Sequence, residues 1–188
     1  MRKYKALTQQ TYKNGDFEIV PIRHADRFEI MQWRNEQMYH LRQNVLLTKT
    51  DQDKYFNNTI AQLFEEKQPE QLLFSYLKGD KLIGYGGLVH IDWVRGTAEI
   101  SMIMETKLQK KHFIEIWTIF LVLIKHVALN ANLTEVYTFA YDLRPKLYVA
   151  LEQSGFKMFD RIPKAVRVGS EQVDIVIHNF SFHGQKFN

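Results

Sequence analysis

The first segment of this sequence that is suited to chemistry is a polar loop. It lies between a strand-like run and a long apolar run. The loop, LQKKHFIEI (108–116), follows the run TAEISMIM (97–104). A loop in this position usually binds phosphate groups, because the first N–H groups of the following helix are free and carry partial positive charge. Glycine is usual in such loops, whereas His112 and Ile114 occupy this one. Its other polar residues are Gln109, Lys110 and Lys111. The segment is therefore a candidate phosphate-binding loop with altered chemistry.

A carboxylate, Glu99, lies within the strand-like run before this loop. Side chains alternate between the two faces of a strand, so Glu99 shares one face with Ser101 and Ile103. A carboxylate held beside a reacting amine can accept its proton. On a solvated face of an antiparallel strand it would have no such role. Both interpretations stay open, and Glu105 at the end of the run is a second candidate.

Two arginines, Arg34 and Arg42, belong to a predicted helix that begins near Asp26 and to the residues that follow it. A guanidinium binds phosphate or carboxylate through paired hydrogen bonds, so the two could hold an anionic ligand together with Asn35. The alternative is that Trp33 lies in the core and the arginines form surface ion pairs, which contribute little to stability.

Hydrophobic periodicity and turn residues predict the elements that must position these side chains. The predicted order is strand, two helices, three strands, helix, strand, helix and two strands. The predicted strands are Phe17–Arg23, Gln71–Leu77, Lys81–Ile91, Thr97–Met104 and Glu135–Tyr141, then FKMFDRI and EQVDIVIHNF. The predicted helices begin near Asp26, Asp51, Phe113 and Pro145, the third ending near Ala131 and the last before Gly155. This order predicts an α/β fold with a mixed, mostly antiparallel sheet of six or seven strands and helices on both faces.

The length and composition suit a single domain with a substantial core, since 45% of the 188 residues are hydrophobic. We assign residues 1–188 to this domain, with a core of about 17–180 and an N-terminal extension of 1–16. The sequence has no cysteine, which excludes disulfides, thiolate metal sites and a cysteine nucleophile. The histidines lack the spacing of a metal site, so we predict no metal.

The charge pattern and the apolar run bear on partners and location. The net charge of +4 is spread along the chain, without the basic stripe of a nucleic-acid-binding protein. The apolar run 113–131 is interrupted by charged residues, which is typical of a buried helix. The N-terminus has no apolar core of signal-peptide length. We therefore expect a cytoplasmic protein with neither a nucleic-acid nor a membrane partner.

The element order and four local sequences resemble the fold of the GCN5-related N-acetyltransferases (GNAT). The four sequences are DKLIGYGGL, TAEISMIM, LQKKHFIEI and ALEQSGF. The resemblance extends from about Phe17 to Phe180, nearly the whole chain. It implies a single-domain GNAT fold and the transfer of an acetyl group to an amine, with acetyl-CoA as co-substrate.

The resemblance also implies where the cofactor binds. Main-chain N–H groups of the family's fourth strand would bind the acyl arm, and those of the next helix would bind the diphosphate. The positions implied are Ile103, Met104, Gln109, Lys110, Lys111, His112, Phe113 and Ile114. The family loop reads Gln or Arg, two residues, Gly, one residue, then Gly or Ala. His112 and Ile114 therefore replace both small residues.

For catalysis, the resemblance implies that Glu99 acts as the base, because several family members carry a carboxylate on this strand near the amine. The usual acid is a tyrosine four residues before the glycine of the last helix, and Leu151 stands there. Tyr148, one turn earlier, is our candidate acid, and Tyr141 is an alternative. Either tyrosine would otherwise be a packing residue at the edge of the sheet.

A fifth stretch, IMQWRNEQMYHLRQN followed by TDQDKYF, resembles family members that acetylate amino sugars on nucleotides, and more loosely the ribosomal-protein acetyltransferases. The implied acceptor-binding residues are Trp33, Arg34, Asn35 and Arg42. We therefore expect an acetyl-CoA-dependent N-acetyltransferase acting on a primary amine of a small molecule, with an amino-sugar nucleotide as the first choice. The alternative is a non-catalytic module of the same fold that binds a ligand or partner, suggested by His112, Ile114 and Leu151. An exposed last strand would allow a homodimer.

Overall fold

The computed structural model describes residues 2–182, which form one eight-stranded sheet with flanking helices. The strands are β1 Tyr12–Asn14, β2 Phe17–Pro21, β3 Leu72–Lys78, β4 Lys81–Asp92, β5 Thr97–Met104, β6 Glu135–Tyr141, β7 Lys157–Val168 and β8 Glu171–Ser181. The helices are α1 Arg27–Glu36, α2 Lys49–Tyr55, α3 Ala61–Leu63, α4 Gln109–Asn130 and α5 Pro145–Gln153, with a π-helical turn Phe56–Ile60 joining α2 to α3. The order across the sheet is β1-β2-β3-β4-β5-β6-β8-β7. The predicted α/β class and mixed sheet are confirmed, with one strand more than expected.

The additional strand, β1, lies in the segment predicted to precede the core. It pairs with β2 across a turn at Gly15, whose φ is 57°. A three-residue strand is too short for alternating hydrophobicity to identify it. Before it, the Tyr4 hydroxyl donates a hydrogen bond to the carbonyl of Leu73 at 2.8 Å. The Tyr4 ring also stacks on Phe64 with 4.3 Å between centroids. The N-terminal segment is therefore part of the packed core.

The sheet is antiparallel except at the junction of β5 and β6. These two strands are parallel because the chain returns through α4 between them, and they pair only from Thr97↔Glu135 to Glu99↔Tyr137. Beyond Glu99, β5 stays paired with β4 as far as Met104, and β6 stays paired with β8 as far as Tyr141. The two strands therefore diverge, and a gap opens within the sheet.

Helices cover the two faces of the sheet. On one face lies α4, where the Tyr76 hydroxyl donates to the carbonyl of Ile116 at 3.1 Å. On the other face lies α1, where the guanidinium of Arg34 donates to the Tyr85 hydroxyl at 2.7 Å. Helix α4 has the length and apolarity of a membrane span, but half of that apolar segment is buried inside the protein. Phe120 and its neighbours along α4 are fully enclosed, which identifies α4 as a core helix.

Two consecutive glycines in β4 allow the strand to lie close to its neighbours on both sides. A Cβ added at Gly87 would lie 1.9 Å from the carbonyl oxygen of Leu72 in β3. A Cβ added at Gly86 would lie 2.2 Å from the carbonyl oxygen of Ser101 in β5. Neither distance is compatible with a side chain, so both positions require glycine for the sheet to keep its geometry.

The starts of α1 and α2 are held by different hydrogen bonds. Helix α2 begins with a capping box, in which the Thr48 hydroxyl accepts from the N–H of Asp51 at 3.2 Å and the Asp51 carboxylate accepts in return. Asp26 occupies the cap position of α1, as predicted, but its carboxylate does not cap the helix. It accepts instead from Arg23 at 2.7 Å and from the Ser75 hydroxyl at 2.6 Å, which ties α1 to β3.

Candidate active site

A cleft opens where β5 and β6 diverge. It encloses a cavity of about 300 Å³ lined by residues of both strands, of the segment after α1, of α4 and of α5. A second cavity of about 300 Å³ lies under α1 and α2 against β4. The two share lining residues, namely Arg34, Tyr55, Gln71, Val89 and Ser101. The two cavities are therefore adjacent, and together they make up a binding region between the gap in the sheet and the α1–α2 face.

Glu99 occupies the last paired position of β5, where the gap begins. It is 5% exposed, and one carboxylate oxygen forms an ion pair with the guanidinium of Arg42. The other oxygen lies 3.9 Å from Nε2 of His90. Burial raises the pKa of the Glu99 carboxyl, and the positive charge of Arg42 and the nearby His90 oppose that rise. A buried carboxylate with a raised pKa in a cleft is suited to accepting a proton.

Irregular backbone positions His90 beside Glu99, and an aromatic ring positions Arg42. His90 has φ 50° at an irregularity where the pairing of β4 with β5 shifts between Val89 and Asp92. This irregularity aims the His90 side chain at the carboxylate, as bulges near active sites commonly do. The Arg42 guanidinium lies over the Phe139 ring, 5.3 Å from its centroid.

Of the four residues predicted to bind the acceptor, the two arginines line the binding region. Arg34 lines both cavities and Arg42 lines the cavity at the gap. Trp33 is buried in the core. Asn35 accepts from the N–H of Leu47 and donates to its carbonyl, both at 2.9 Å, which fixes the segment before α2. Neither Trp33 nor Asn35 lines these two cavities. Asn35 also accepts from the Gln43 amide nitrogen at 3.0 Å, and the Gln43 amide oxygen accepts from Arg34.

The loop predicted to bind phosphate lies at the wide end of the cleft. Helix α4 begins at Gln109 but has non-helical geometry at His112 (φ −120°, ψ 16°), so regular helix starts at Phe113 as predicted. His112 is exposed and lies 3.3 Å from Glu115 of the same helix. Ile114 packs against the core rather than standing free. Lys110 and Lys111 are exposed.

A buried glutamine that the sequence did not single out, Gln37, joins this loop to the end of α1. Its amide nitrogen donates to the carbonyl of Met104 at 2.9 Å and to the Thr106 hydroxyl at 3.0 Å. Its amide oxygen accepts from Nε2 of Gln109 at 2.5 Å. Ile103 and Met104 themselves are buried at the end of β5. Gln109 therefore fixes the loop, and the phosphate-facing donors would be main-chain N–H groups and lysines.

The cleft suits a cofactor with an extended polar arm and a diphosphate. The diverging strands leave main-chain groups of β5 and β6 unpaired with each other, and Ile114 is half-buried against the core. Three buried polar atoms of cavity-lining residues have no hydrogen-bond partner within residues 2–182. They are His40 Nδ1, Thr138 Oγ1 and Arg144 Nε. Such atoms are costly unless a ligand or water pairs with them, so these buried polar atoms fit a ligand with polar groups along its length, as acetyl-CoA has.

The two candidate acids have different surroundings. The Tyr148 hydroxyl donates to the Asp142 carboxylate at 2.7 Å, and its ring stacks on His178. Burial and the neighbouring Asp142 raise the pKa of Tyr148, which makes it a weaker proton donor. Tyr141, at the end of β6, lines the cavity at the gap. Tyr148 is not among the residues that line this cavity.

The gapped sheet, the helix that starts at its wide end and the buried carboxylate define an acyl-transfer fold. The sequence matches the family described as the acetyltransferase (GNAT) domain over residues 19–177. The chain belongs to this family, and the predicted class of enzyme, an N-acetyltransferase with acetyl-CoA as co-substrate, is confirmed. A comparison with curated proteins finds no sequence match.

Solved structures with the same fold come from several acetyltransferases. The spermidine N-acetyltransferase of Vibrio cholerae, in complex with CoA and spermine, superposes with a TM-score of 0.77 at 17% identity over 89% of this chain and 96% of its own. The ribosomal L7/L12 α-N-protein acetyltransferase RimL, in complex with CoA, gives 0.75 at 9% identity over 89% and 95%. A probable GNAT acetyltransferase of Chromobacterium violaceum gives 0.72 at 13% identity over 96% and 95%. At these identities the likeness describes the fold.

Proposed function

We propose that this enzyme transfers the acetyl group of acetyl-CoA to a primary amine of a small molecule that carries an anionic group, with an amino-sugar nucleotide as the leading substrate. The observation that carries the proposal is the buried, Arg42-paired carboxylate of Glu99 at the point where β5 and β6 separate. We place the reaction in the cytoplasm. Among residues 2–182, Glu99 is the carboxylate that lines the cavity at the gap.

In this reaction Glu99 holds the proton that the amine must lose. The acceptor arrives as an ammonium group, gives one proton to the Glu99 carboxylate and becomes a nucleophile. Bound acetyl-CoA supplies the thioester whose acetyl group is transferred. The main chain of β5 beyond Glu99, unpaired toward β6, orients the acyl arm. As the C–N bond forms and the C–S bond breaks, Tyr141 or Tyr148 gives a proton to the departing sulfur and recovers one from the nitrogen, which loses its second proton to become the amide. Tyr141 is the first choice for this role because it lines the cleft.

The charges of the binding region support an acceptor with an anionic group. The cavities are lined by three arginines, and within the part of the chain that the structure describes only Arg42 of these has a carboxylate partner. Arg34 bonds to neutral partners, the Gln43 amide oxygen at 3.0 Å and the Tyr85 hydroxyl. Its charge therefore remains available to a phosphate or carboxylate. A polyamine would meet more positive than negative side chains in this region.

The exposed edge of β7 supports a homodimer as the assembly of this enzyme. Nearly all residues of this outermost strand are exposed. Phe159 and Met158 are 70% and 60% exposed. An edge strand with exposed apolar side chains favours pairing with another strand, and a second copy offers the same edge.

A second candidate function is a non-catalytic module that binds a ligand or partner. It is favoured by the loss of both small residues from the phosphate loop, at His112 and Ile114, and by the engagement of Gln109 with Gln37. The two candidates differ in what the loop contributes to cofactor affinity.

Calorimetric titration with acetyl-CoA is expected to show binding by the unmodified protein. The double variant His112→Gly, Ile114→Ala is expected to bind acetyl-CoA no more tightly than the unmodified protein, because Ile114 packs against the core and does not line the cavity at the gap. Release of CoA in the presence of a panel of amino-sugar nucleotides then tests the transfer itself. No binding by the unmodified protein, with a large gain in the double variant, would favour the non-catalytic module.

In a plot of kcat/KM against pH, the acidic limb is expected to have an apparent pKa above that of an ordinary glutamic acid. Burial raises the pKa of Glu99, so its carboxylate, the form that accepts the proton, appears only at a higher pH. The charged or titratable groups facing it are Arg42, His90 and Tyr137. The measurement is kcat/KM against pH. Arg42→Met is expected to move the limb further up, because the Arg42 charge stabilises the carboxylate. A limb at the ordinary pKa in both proteins would contradict this assignment.

A further inference from the structure

We propose that Arg161, in β7, is a positioning residue for the acetyl transfer. It bridges two carboxylates and so holds the connection between β6 and α5, residues 142–144, against the β7–β8 hairpin. Tyr141 at the end of β6 and Arg144 before α5 line the cavity at the gap. The inference rests on the proposed function, because it concerns how two residues of the same cleft are kept in place.

The bridge is formed by one nitrogen of the guanidinium. Nη1 of Arg161 donates to Oδ2 of Asp142 at 2.6 Å and to Oδ2 of Asp174, in β8, at 2.9 Å. The Asp142 N–H donates to the Asp174 carbonyl at 2.9 Å, which keeps the two residues close together. Each ion pair is partly exposed and contributes little alone, but their common cation separates two like charges. Removal of Arg161 would therefore leave two carboxylates that repel each other.

The other oxygens of the two carboxylates are engaged as well. Oδ1 of Asp142 accepts from the Tyr148 hydroxyl at 2.7 Å, and Oδ1 of Asp174 accepts from the Lys164 N–H at 2.9 Å. The Tyr148 hydroxyl and then Arg161 hold the pKa of Asp142 below its usual range. The Lys164 N–H and then Arg161 do the same for the pKa of Asp174. Both carboxylates are therefore charged at neutral pH, and the network joins the end of β6 to α5, β7 and β8.

The backbone of β7 is irregular just after Arg161. Residues 163–165 lie opposite Asp174 alone, and Lys164 has φ 51°. A positive φ is uncommon in residues other than glycine and costs free energy, so neighbouring groups must hold it. Asp174 does so through its hydrogen bond from the Lys164 N–H. Irregularities of this kind change the direction of nearby side chains, and this one lies beside the side chain that forms the bridge.

The bridge acts on the cleft through a short piece of chain. One peptide bond separates Asp142 from Tyr141, and two separate it from Arg144. The guanidinium of Arg144 lies over the ring of Trp117 in α4, 5.9 Å from its centroid. A displacement of Asp142 would move both cleft residues, and misplacement of a reacting group by about 1 Å can cost about 100-fold in rate. Arg161 does not line the cavity, so its effect on the reaction has to pass through this connection.

Amide hydrogen exchange of the apoprotein, followed by mass spectrometry, tests the hold on the connection. The variants are Arg161→Gln and Arg161→Lys, with Arg167→Gln as the matched control. Arg167 is an exposed arginine of the same strand and lies outside both cavities. Arg161→Gln is expected to speed exchange in residues 141–147 by about three- to tenfold, the effect of losing two exposed ion pairs. Exchange in the distant strands β1, β2 and β3, and throughout Arg167→Gln, is expected to stay as in the unmodified protein.

Steady-state kinetics tests the effect on the reaction. Arg161→Gln is expected to lower kcat about tenfold and to leave the KM for acetyl-CoA within about threefold, because a misplaced group acts on the transition state more than on binding. Lysine also presents one charged nitrogen to the two carboxylates, so Arg161→Lys is expected to recover to within about threefold of the unmodified kcat. Arg167→Gln is expected to match the unmodified enzyme. The melting temperature is expected to be alike in all four proteins, since exposed ion pairs contribute little to stability.

Unchanged exchange in residues 141–147 of Arg161→Gln would show that the bridge does not hold the connection. Equal acceleration across the whole chain, with a lower melting temperature, would show a general loss of stability and overturn the inference. An unchanged kcat would overturn it too, as would a lower kcat that accompanies dissociation of a dimer in size-exclusion chromatography. If the unmodified protein acetylates no amine of the panel, the proposed function fails, and the exchange experiment still tests the bridge.

Discussion

Glu99→Gln is expected to lower kcat for acetyl transfer about 100- to 1000-fold, the usual contribution of a positioned general base. Glutamine keeps the size of the side chain but cannot accept the proton of the amine. The KM for acetyl-CoA is expected to stay within about twofold, because Glu99 faces the acceptor side of the gap with Arg42. Steady-state kinetics with an acceptor identified from the amine panel measures both constants.

The matched control for this variant is Glu65→Gln. Glu65 also pairs with a cation, Lys5, but both side chains are more than half exposed and lie outside the cleft. The kcat of the Glu65→Gln variant is expected to equal that of the unmodified enzyme, since Glu65 lies outside the cleft and exposed ion pairs contribute little to stability. A Glu99→Gln enzyme with unchanged kcat would show that another group or a water takes the proton.

Gly87→Ala is expected to lower the free energy of unfolding by about 3 kcal/mol, the upper part of the range for forcing extra atoms into a packed interior. The added methyl group would lie 1.9 Å from the carbonyl oxygen of Leu72, so β3 and β4 must move apart. For a chain of this size the melting temperature is expected to fall by about 6–12 °C. Denaturant and thermal unfolding followed by circular dichroism measure the two quantities.

Gly15→Asn serves as the control for the glycine substitution. Gly15 has φ 57°, and a Cβ there would meet no atom within 4 Å. Asparagine tolerates this backbone conformation better than other side chains do, so the loss of stability is expected to stay below about 1 kcal/mol. If Gly87→Ala and Gly15→Asn lose the same free energy of unfolding, steric conflict in β4 does not explain why residue 87 is a glycine.

Local sequence was sufficient to predict those elements whose ends are set by neighbouring residues. Helix α5 begins at Pro145 and is followed by Gly155 at φ 83°, both as predicted. The last hairpin turns at Gly169, with φ 60°. Proline and glycine determine such ends through their own dihedral preferences, without any long-range contact. The strand β1 was missed because its pairing depends on β2 rather than on its own pattern.

The candidate site was less predictable, because its properties arise from residues distant in the chain. The position of Glu99 on the strand was clear, but its partner Arg42 lies 57 residues away and comes from the segment after α1. Periodicity cannot show that two such side chains meet. His40 and Arg144 gave no signal at all, since one histidine and one arginine resemble any others in the sequence. They draw attention because each has a buried nitrogen, Nδ1 or Nε, without a hydrogen-bond partner among residues 2–182. Only the fold reveals this.

The position of Trp117 makes ligand binding in the cleft measurable by tryptophan fluorescence. Its indole lines the gap beneath the guanidinium of Arg144, whereas Trp33, a residue of α1, is buried in the core. The remaining tryptophan, Trp93, donates to the carbonyl of Pro69 at 2.9 Å and lies outside both cavities. Occupancy of the gap therefore alters the surroundings of one indole out of three. The protein carries an intrinsic fluorophore in the cleft that we propose as its active site, and needs no attached dye to report on ligands that bind there.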